Sequence, residues 1–276
     1  MGNHIIAQVK QIGGRMDKAA LHKAVEEEIE GAQAKISLYV KNLNTGEVLV
    51  QYREELPVVS ASIIKVPIMV TALEEIQKGI LSKDTLITVS DSIILEDSEV
   101  FEYGERQYTL DELLVWMIIN SDNTATNCLI DLLTMDKINQ TCRQLNLKAT
   151  KLERKMLDFD AVKQGLNNYT SAMDMYILYK ALYDKTILTP DLCDYAIRIL
   201  LRQRHKQNSM RYIPDEVKIA HKTGGLDFLN HDAGIFYLKE KDYYFGAFVW
   251  DAPDNVYGMK WIGRVSKIIY EYYKEQ

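Results

Sequence analysis

Leu21, Val25 and Ile29 recur every fourth position between Asp17, which can cap a helix through its carboxylate, and Gly31, which can end one. The chain therefore opens on an amphipathic helix. The period then changes to two: Ile36, Leu38 and Val40 alternate up to the turn Asn44-Thr45-Gly46, and Val48, Leu49, Val50 and Tyr52 return as the second strand of a hairpin. Near the other end, 217–222, 234–238 and 243–250 read as three more strands, the last two joined by the tight turn Lys239-Glu240-Lys241-Asp242. Residues 258–275 place Trp261, Val265, Ile269 and Tyr272 on one helical stripe. Both ends of the chain thus feed one antiparallel sheet flanked by terminal helices.

Between about 60 and 211 the strand signals fade and helix starts multiply. Thr109 with Glu112 forms a capping box, Ser171 with Asp174 a weaker one, and Thr189-Pro190-Asp191 puts proline where a helix begins. The fold class is therefore α/β in the α+β sense. A five-stranded antiparallel sheet lobe comes from 16–59 and 212–276, a helical lobe from 60–211 is inserted between them, and 1–15 form an N-terminal extension.

With 276 residues, 47% of them hydrophobic, the chain can bury a large core, either as one domain or as two lobes sharing a site. A net charge of −6 argues against a nucleic-acid partner, which is bound through clustered Lys and Arg. The one basic cluster, Arg202, Arg204, His205, Lys206 and Arg211, reads as a solvated helix end and loop. Cys128, Cys142 and Cys193 are odd in number and form no CxxC, so buried free thiols are expected, with no metal site and no cofactor. Scattered histidines and the absence of Gly-x-Ser-x-Gly and His-Glu-x-x-His patterns exclude the common α/β-hydrolase and zinc-protease arrangements. No stretch has the apolar length of a membrane span, and the start shows no cleavage-site pattern. As written the chain is expected to be cytoplasmic, or exported if a leader was trimmed.

Three short motifs carry the chemistry: Ser62-Ile63-Ile64-Lys65, Ser121-Asp122-Asn123 and Lys222-Thr223-Gly224. Residues 60–79 read as an apolar helix with Ser62 in its first turn and Lys65 one turn on, over the same face. An isolated Ser-x-x-Lys is commonly a cap followed by a solvated lysine. With Ile63, Ile64, Val66, Ile68 and Met69 around it, however, Lys65 is expected to be buried, where desolvation and the positive helix end favour the neutral amine that a serine nucleophile needs. Ser121-Asp122-Asn123 follows the apolar run 113–119 and precedes the helix expected over 124–133, which Asp122 or Ser121 could simply cap. Lys222-Thr223-Gly224 ends the third predicted strand, where Gly224 and Gly225 allow close approach of a ligand or another backbone.

The set of three, with 59 residues from Ser62 to Ser121 and 160 from Ser62 to Lys222, resembles the class A β-lactamases and their penicillin-binding relatives over about 20–276. The penicillin-binding transpeptidases usually show longer separations. The resemblance implies a β-lactamase/transpeptidase-like fold with the active site in the seam between lobes. It further implies Ser62 as nucleophile, Lys65 as its base, and Ser121 as proton donor to the leaving group. Asn123 would bind the substrate amide, Lys222 and Thr223 the substrate carboxylate, and the backbone N–H groups of Ser62 and Gly225 the oxyanion. The implied partner is a small β-lactam or an acyl-D-Ala-D-Ala-like substrate, and the protein is expected to be a monomer.

One departure stands out. The family places a glutamate two residues after an arginine, in a loop that positions the hydrolytic water, and the matching stretch is Arg154-Lys155-Met156-Leu157-Asp158-Phe159-Asp160. Met156 stands at the glutamate position and cannot take a proton. Asp158 and Asp160 are the nearby carboxylates, either deacylation groups or partners in a loop salt bridge, for example to Arg154. The chain is therefore expected to acylate readily and to release slowly. The alternatives are a covalent β-lactam sensor and a D-alanyl peptidase or esterase.

Overall fold

The computed structural model describes residues 15–101 and 104–275, so 1–14 of the expected N-terminal extension lie outside the described residues. In chain order the elements are α1 (Lys18–Glu30), β1 (Lys35–Asn42), β2 (Val48–Tyr52), β3 (Val58–Val59), a 3-10 turn (Ala61–Ile64), α2 (Lys65–Gln77), β4 (Leu86–Val89) and β5 (Arg106–Thr109). Next come α3 (Leu110–Ile119), α4 (Asn123–Leu133), α5 (Met135–Gln144), α6 (Phe159–Lys163), β6 (Tyr169–Thr170), α7 (Ala172–Tyr183) and α8 (Pro190–Leu200). The chain then closes with β7 (Lys218–Leu226), β8 (Leu229–Tyr237), β9 (Tyr243–Trp250) and α9 (Asn255–Glu275). No described helix is long and apolar enough to cross a membrane.

One sheet of order β2-β1-β9-β8-β7 joins the two chain ends, antiparallel throughout. Its period of two is visible in what each face buries. Ile36, Leu38, Val40, Phe245, Ala247 and Val249 pack with Leu21 and Val25 of α1 and with Trp261, Val265 and Ile269 of α9. Tyr39, Ala233, Ile235, Tyr244 and Phe248 pack instead with the helical lobe. Both sets are apolar because helices cover both faces, and each fully buried aliphatic or aromatic side chain contributes about 1.5–3 kcal/mol. The terminal helices are tied directly: Trp261 Nε1 donates to the Glu28 carbonyl at 2.8 Å, and Arg264 Nε pairs with the Glu28 carboxylate at 3.0 Å.

The capping signals act as read. Asp17, Thr109, Ser171 and Thr189 each accept a backbone N–H in the first turn of their helices, and Thr109 and Glu112 complete the capping box. The helical lobe also carries two short ribbons, β3 with β6 and β4 with β5. Several bounds shift from those expected. β7 runs on past Lys222 to Leu226, β8 begins at Leu229, five residues before 234, and α9 starts at Asn255. The glycines that suggested strand ends lie inside strands, at close approaches. A Cβ on Gly234 would sit 2.4 Å from the Ala220 carbonyl oxygen, and one on Gly224 would sit 3.1 Å from the Ser60 carbonyl oxygen.

Candidate active site

The Ser62 segment is held from two sides before any catalysis is considered. Val58 and Val59 pair with Thr170 and Tyr169, Ser60 N donates to the Asn168 carbonyl at 2.8 Å, and His231 Nε2 meets the Val59 carbonyl at 2.9 Å. Ala61 then takes a left-handed φ of 44° and Ser62 falls in the 3-10 turn, so the predicted helix over 60–79 becomes a tight turn followed by α2 from Lys65. A non-glycine residue in that region is strained and persists only where its surroundings fix it. Gly224 supplies one such constraint by letting β7 press against this turn.

Lys65 is fully buried. Its Nζ donates to the Ser121 carbonyl at 2.6 Å and to Asn123 Oδ1 at 2.7 Å, and Ser121 Oγ lies 3.2 Å away. Asn123 Nδ2 in turn donates to Asp97 Oδ2 at 2.6 Å, which fixes the amide with its oxygen toward Lys65. Burial pulls the Lys65 amine down to about 7, against the opposing pull of Asp122 and Asp97. A neutral amine keeps two N–H bonds, to the Ser121 carbonyl and Asn123 Oδ1, and is left with a lone pair. The expected contact to Ser62 is not formed: among the described residues the Lys65 hydrogen bonds go to Ser121 and Asn123, and Ser62 makes no side-chain hydrogen bond. Ser62 instead faces an open cavity. Catalytic hydrogen bonds often tighten only when substrate binds.

Ser121 is positioned by backbone geometry. It sits between α3 and α4 with φ 57°, and Asp122 caps α4 by accepting Ala125 N at 2.7 Å. The capping expectation is therefore met by Asp122, while Ser121 beside it presents its Oγ to Lys65 and Lys222. Lys222, also fully buried, donates to Ser121 Oγ at 3.0 Å and to the Thr223 carbonyl at 2.8 Å. Burial, and then the nearby Lys65, hold its amine well below the ordinary lysine value. Ser121 Oγ thus lies between two buried amines.

These groups border a cavity of about 380 Å³ lined by Ser62, Ser121, Asn123, Thr223 and Gly225, together with Asp97, Glu99, Val100 and His205. Gly225 has open space where a Cβ would point. The last four residues were not legible as site residues, because Asp97, Glu99 and Val100 lie on an irregular loop and His205 lies in a charged run. A larger groove of about 970 Å³ runs between α1 and β2, but among the described residues lining it there is no serine, threonine or cysteine.

The remaining candidates lie elsewhere. Met156 is buried, its N–H donating to Asn127 Oδ1 at 2.8 Å and its carbonyl accepting Asn127 Nδ2 at 3.2 Å. Asp158 caps α6 through Ala161 N at 2.9 Å, Asp160 pairs with Lys163 at 2.8 Å, and neither lines the cavity. The expected bridge partner Arg154 bonds to Asn167 Oδ1 and the Lys155 carbonyl, and among the described residues it forms no close carboxylate pair. The three thiols are free and buried, with burial raising each above the ordinary value.

A five-stranded antiparallel sheet joined to a helical lobe, with the Ser62 turn in the seam, defines the class A β-lactamase-like fold. The model of the beta-lactamase enzyme family matches residues 20–273, and the chain belongs to that family. It is a serine hydrolase of the β-lactamase type. Beta-lactamase VEB-1 of Pseudomonas aeruginosa is 23% identical over 269 residues, covering 90% of this chain and 89% of that one. The β-lactamase of Sphaerobacter thermophilus superposes with a TM-score of 0.84 at 22% identity, covering 94% of this chain and 98% of that one. A mutant of PBP-A, solved as an acyl-enzyme complex with penicillin G, superposes with a TM-score of 0.83 at 24% identity, covering 94% and 96%.

Proposed function

We propose that the protein opens β-lactams through an acyl-enzyme on Ser62 and releases the product slowly. The observation that carries this reading is the convergence of Ser121 Oγ with two buried amines, one held at about 7, at a cavity that Ser62 lines. Ser62 Oγ attacks the lactam carbonyl as Lys65 takes its proton. The backbone N–H groups of Ser62 and Gly225 stabilise the oxyanion. As the C–N bond breaks, Ser121 passes a proton to the leaving nitrogen and is resupplied from the lysines, leaving an ester on Ser62. Asn123 holds the acyl amide, while Lys222 and Thr223 hold the carboxylate, with Gly224 giving their strand its close seat.

Release requires a water and a base. Met156 provides none, and Asp158 and Asp160 are committed to a cap and an ion pair away from the cavity. That same observation favours the second reading, a covalent binder or sensor that traps a β-lactam. Intact-mass measurement of the protein mixed with penicillin G follows both steps in one trace. The expected trace shows one adduct per chain at early times and slow return to the free mass. Rapid turnover with no accumulated adduct would overturn slow release.

Replacing Lys222 removes the buried amine that this reading assigns to the substrate carboxylate. Lys222→Ala is expected to lower acylation by carboxylate-bearing penicillins by about tenfold or more, and by uncharged ester substrates far less. Equal losses on both substrate types would count against the anchoring role.

A further inference from the structure

We propose that Asp97 and Glu99 make the cavity selective for acyl groups bearing an ammonium, an inference that rests on the acyl-transfer reading above. Among the described residues lining the cavity, the charged side chains are the carboxylates of Asp97, Glu99 and Asp122, with His205 the one ionisable base. Asp122 is already engaged, by Ala125 N and by Ser98 Oγ at 2.6 Å. Asp97 and Glu99 are exposed, and the ion pairs among the described residues include neither.

The loop that carries them is held in register with the catalytic motif. Leu95 N donates to Thr124 Oγ1 at 2.8 Å, Asn123 Nδ2 to Asp97 Oδ2 at 2.6 Å, and Ser98 Oγ to Asp122 Oδ2 at 2.6 Å. Three bonds from one short loop thus reach three consecutive residues, so the Asp97 carboxylate stands at a fixed place beside Asn123. In the acyl-transfer reading Asn123 binds the amide of the acyl side chain. An amino group on the carbon next to that amide would lie beside Asp97 and Glu99, while Lys222 takes the carboxylate at the opposite end. The acyl end of the cavity is acidic, and an ammonium carried there by a substrate whose carboxylate points toward Lys222 matches it.

Penicillin G and ampicillin share the same nucleus and acyl amide and differ by one α-amino group, so their ratio of acylation efficiencies isolates the charge. Wild-type protein is expected to favour ampicillin at low ionic strength, with the preference shrinking as salt is raised. Glu99→Gln and Asp97→Asn should each lower the ampicillin-to-penicillin G ratio by about two- to fivefold, the range of an exposed ion pair. Because Asp97 also orients Asn123, its replacement will affect both penicillins, and the ratio removes that common effect. Glu99, which is not among the hydrogen-bond partners of the Asn123 side chain, is the independent check. A ratio unchanged in both variants would overturn the inference while leaving acyl transfer intact. Absence of any adduct with either penicillin would instead remove the acyl-transfer reading and this inference with it.

Discussion

Lys65→Ala is expected to slow acylation of Ser62 by about 10²–10⁴, the usual range for loss of a positioned general base. In the unmodified protein the acylation rate should rise with pH through about 7. The sign follows from the chemistry: the active form is the neutral amine, which is populated above its pKa, and burial has brought that pKa down to about 7. An exposed lysine would put the same rise near 10. Rapid-quench acylation rates between pH 5.5 and 8.5 test this directly, and a profile flat across that range would exclude Lys65 as the base. Ser62→Ala should abolish the adduct altogether. Peptide mapping of the labelled wild-type protein should find it on Ser62, and an adduct on Ser60 or Ser121 would sink the assignment.

Met156→Glu is expected to speed release of the acyl group by about 10²–10⁴ while changing the acylation burst little, since it adds a base for water without touching Ser62 or Lys65. The backbone of residue 156 is held at both its N–H and its carbonyl by Asn127, so the new carboxylate would project from an unchanged backbone position. Single-turnover deacylation followed by mass gives the rate. Asp160→Asn is the companion experiment: with Asp160 paired to Lys163 outside the cavity, the slow phase should not change. A slow phase that falls in Asp160→Asn and does not respond to Met156→Glu would show that Asp160 is the base after a loop rearrangement.

Linear order alone determined the plan of the molecule. Period-two and period-four apolar patterns at the chain ends marked a sheet with terminal helices, because each face of a strand or helix must bury its apolar set against a neighbour. Caps at Asp17, Thr109, Ser171 and Thr189 were legible for the same local reason, a side chain satisfying N–H groups within one turn. The three motifs were legible together through their resemblance to the class A β-lactamases, and only the Ser62-to-Lys65 spacing had a local geometric reason. Only the tertiary structure decided what each group touches. It seated Lys65 on Ser121 and Asn123 instead of Ser62, because the Ser121 carbonyl and the Asn123 amide, brought in from the start of α4, offer the buried amine its acceptors. It placed Gly224 and Gly234 inside strands, Gly224 at a close backbone approach of the kind its sequence suggested and Gly234 at one that no local pattern marked. It also brought Asp97 and Glu99 to the rim of the cavity and left Asp158 and Asp160 away from it. Loop position is set by long-range hydrogen bonds such as those of Ser98 and Leu95 to the Asp122 and Thr124 side chains, and no periodicity along the chain records such bonds.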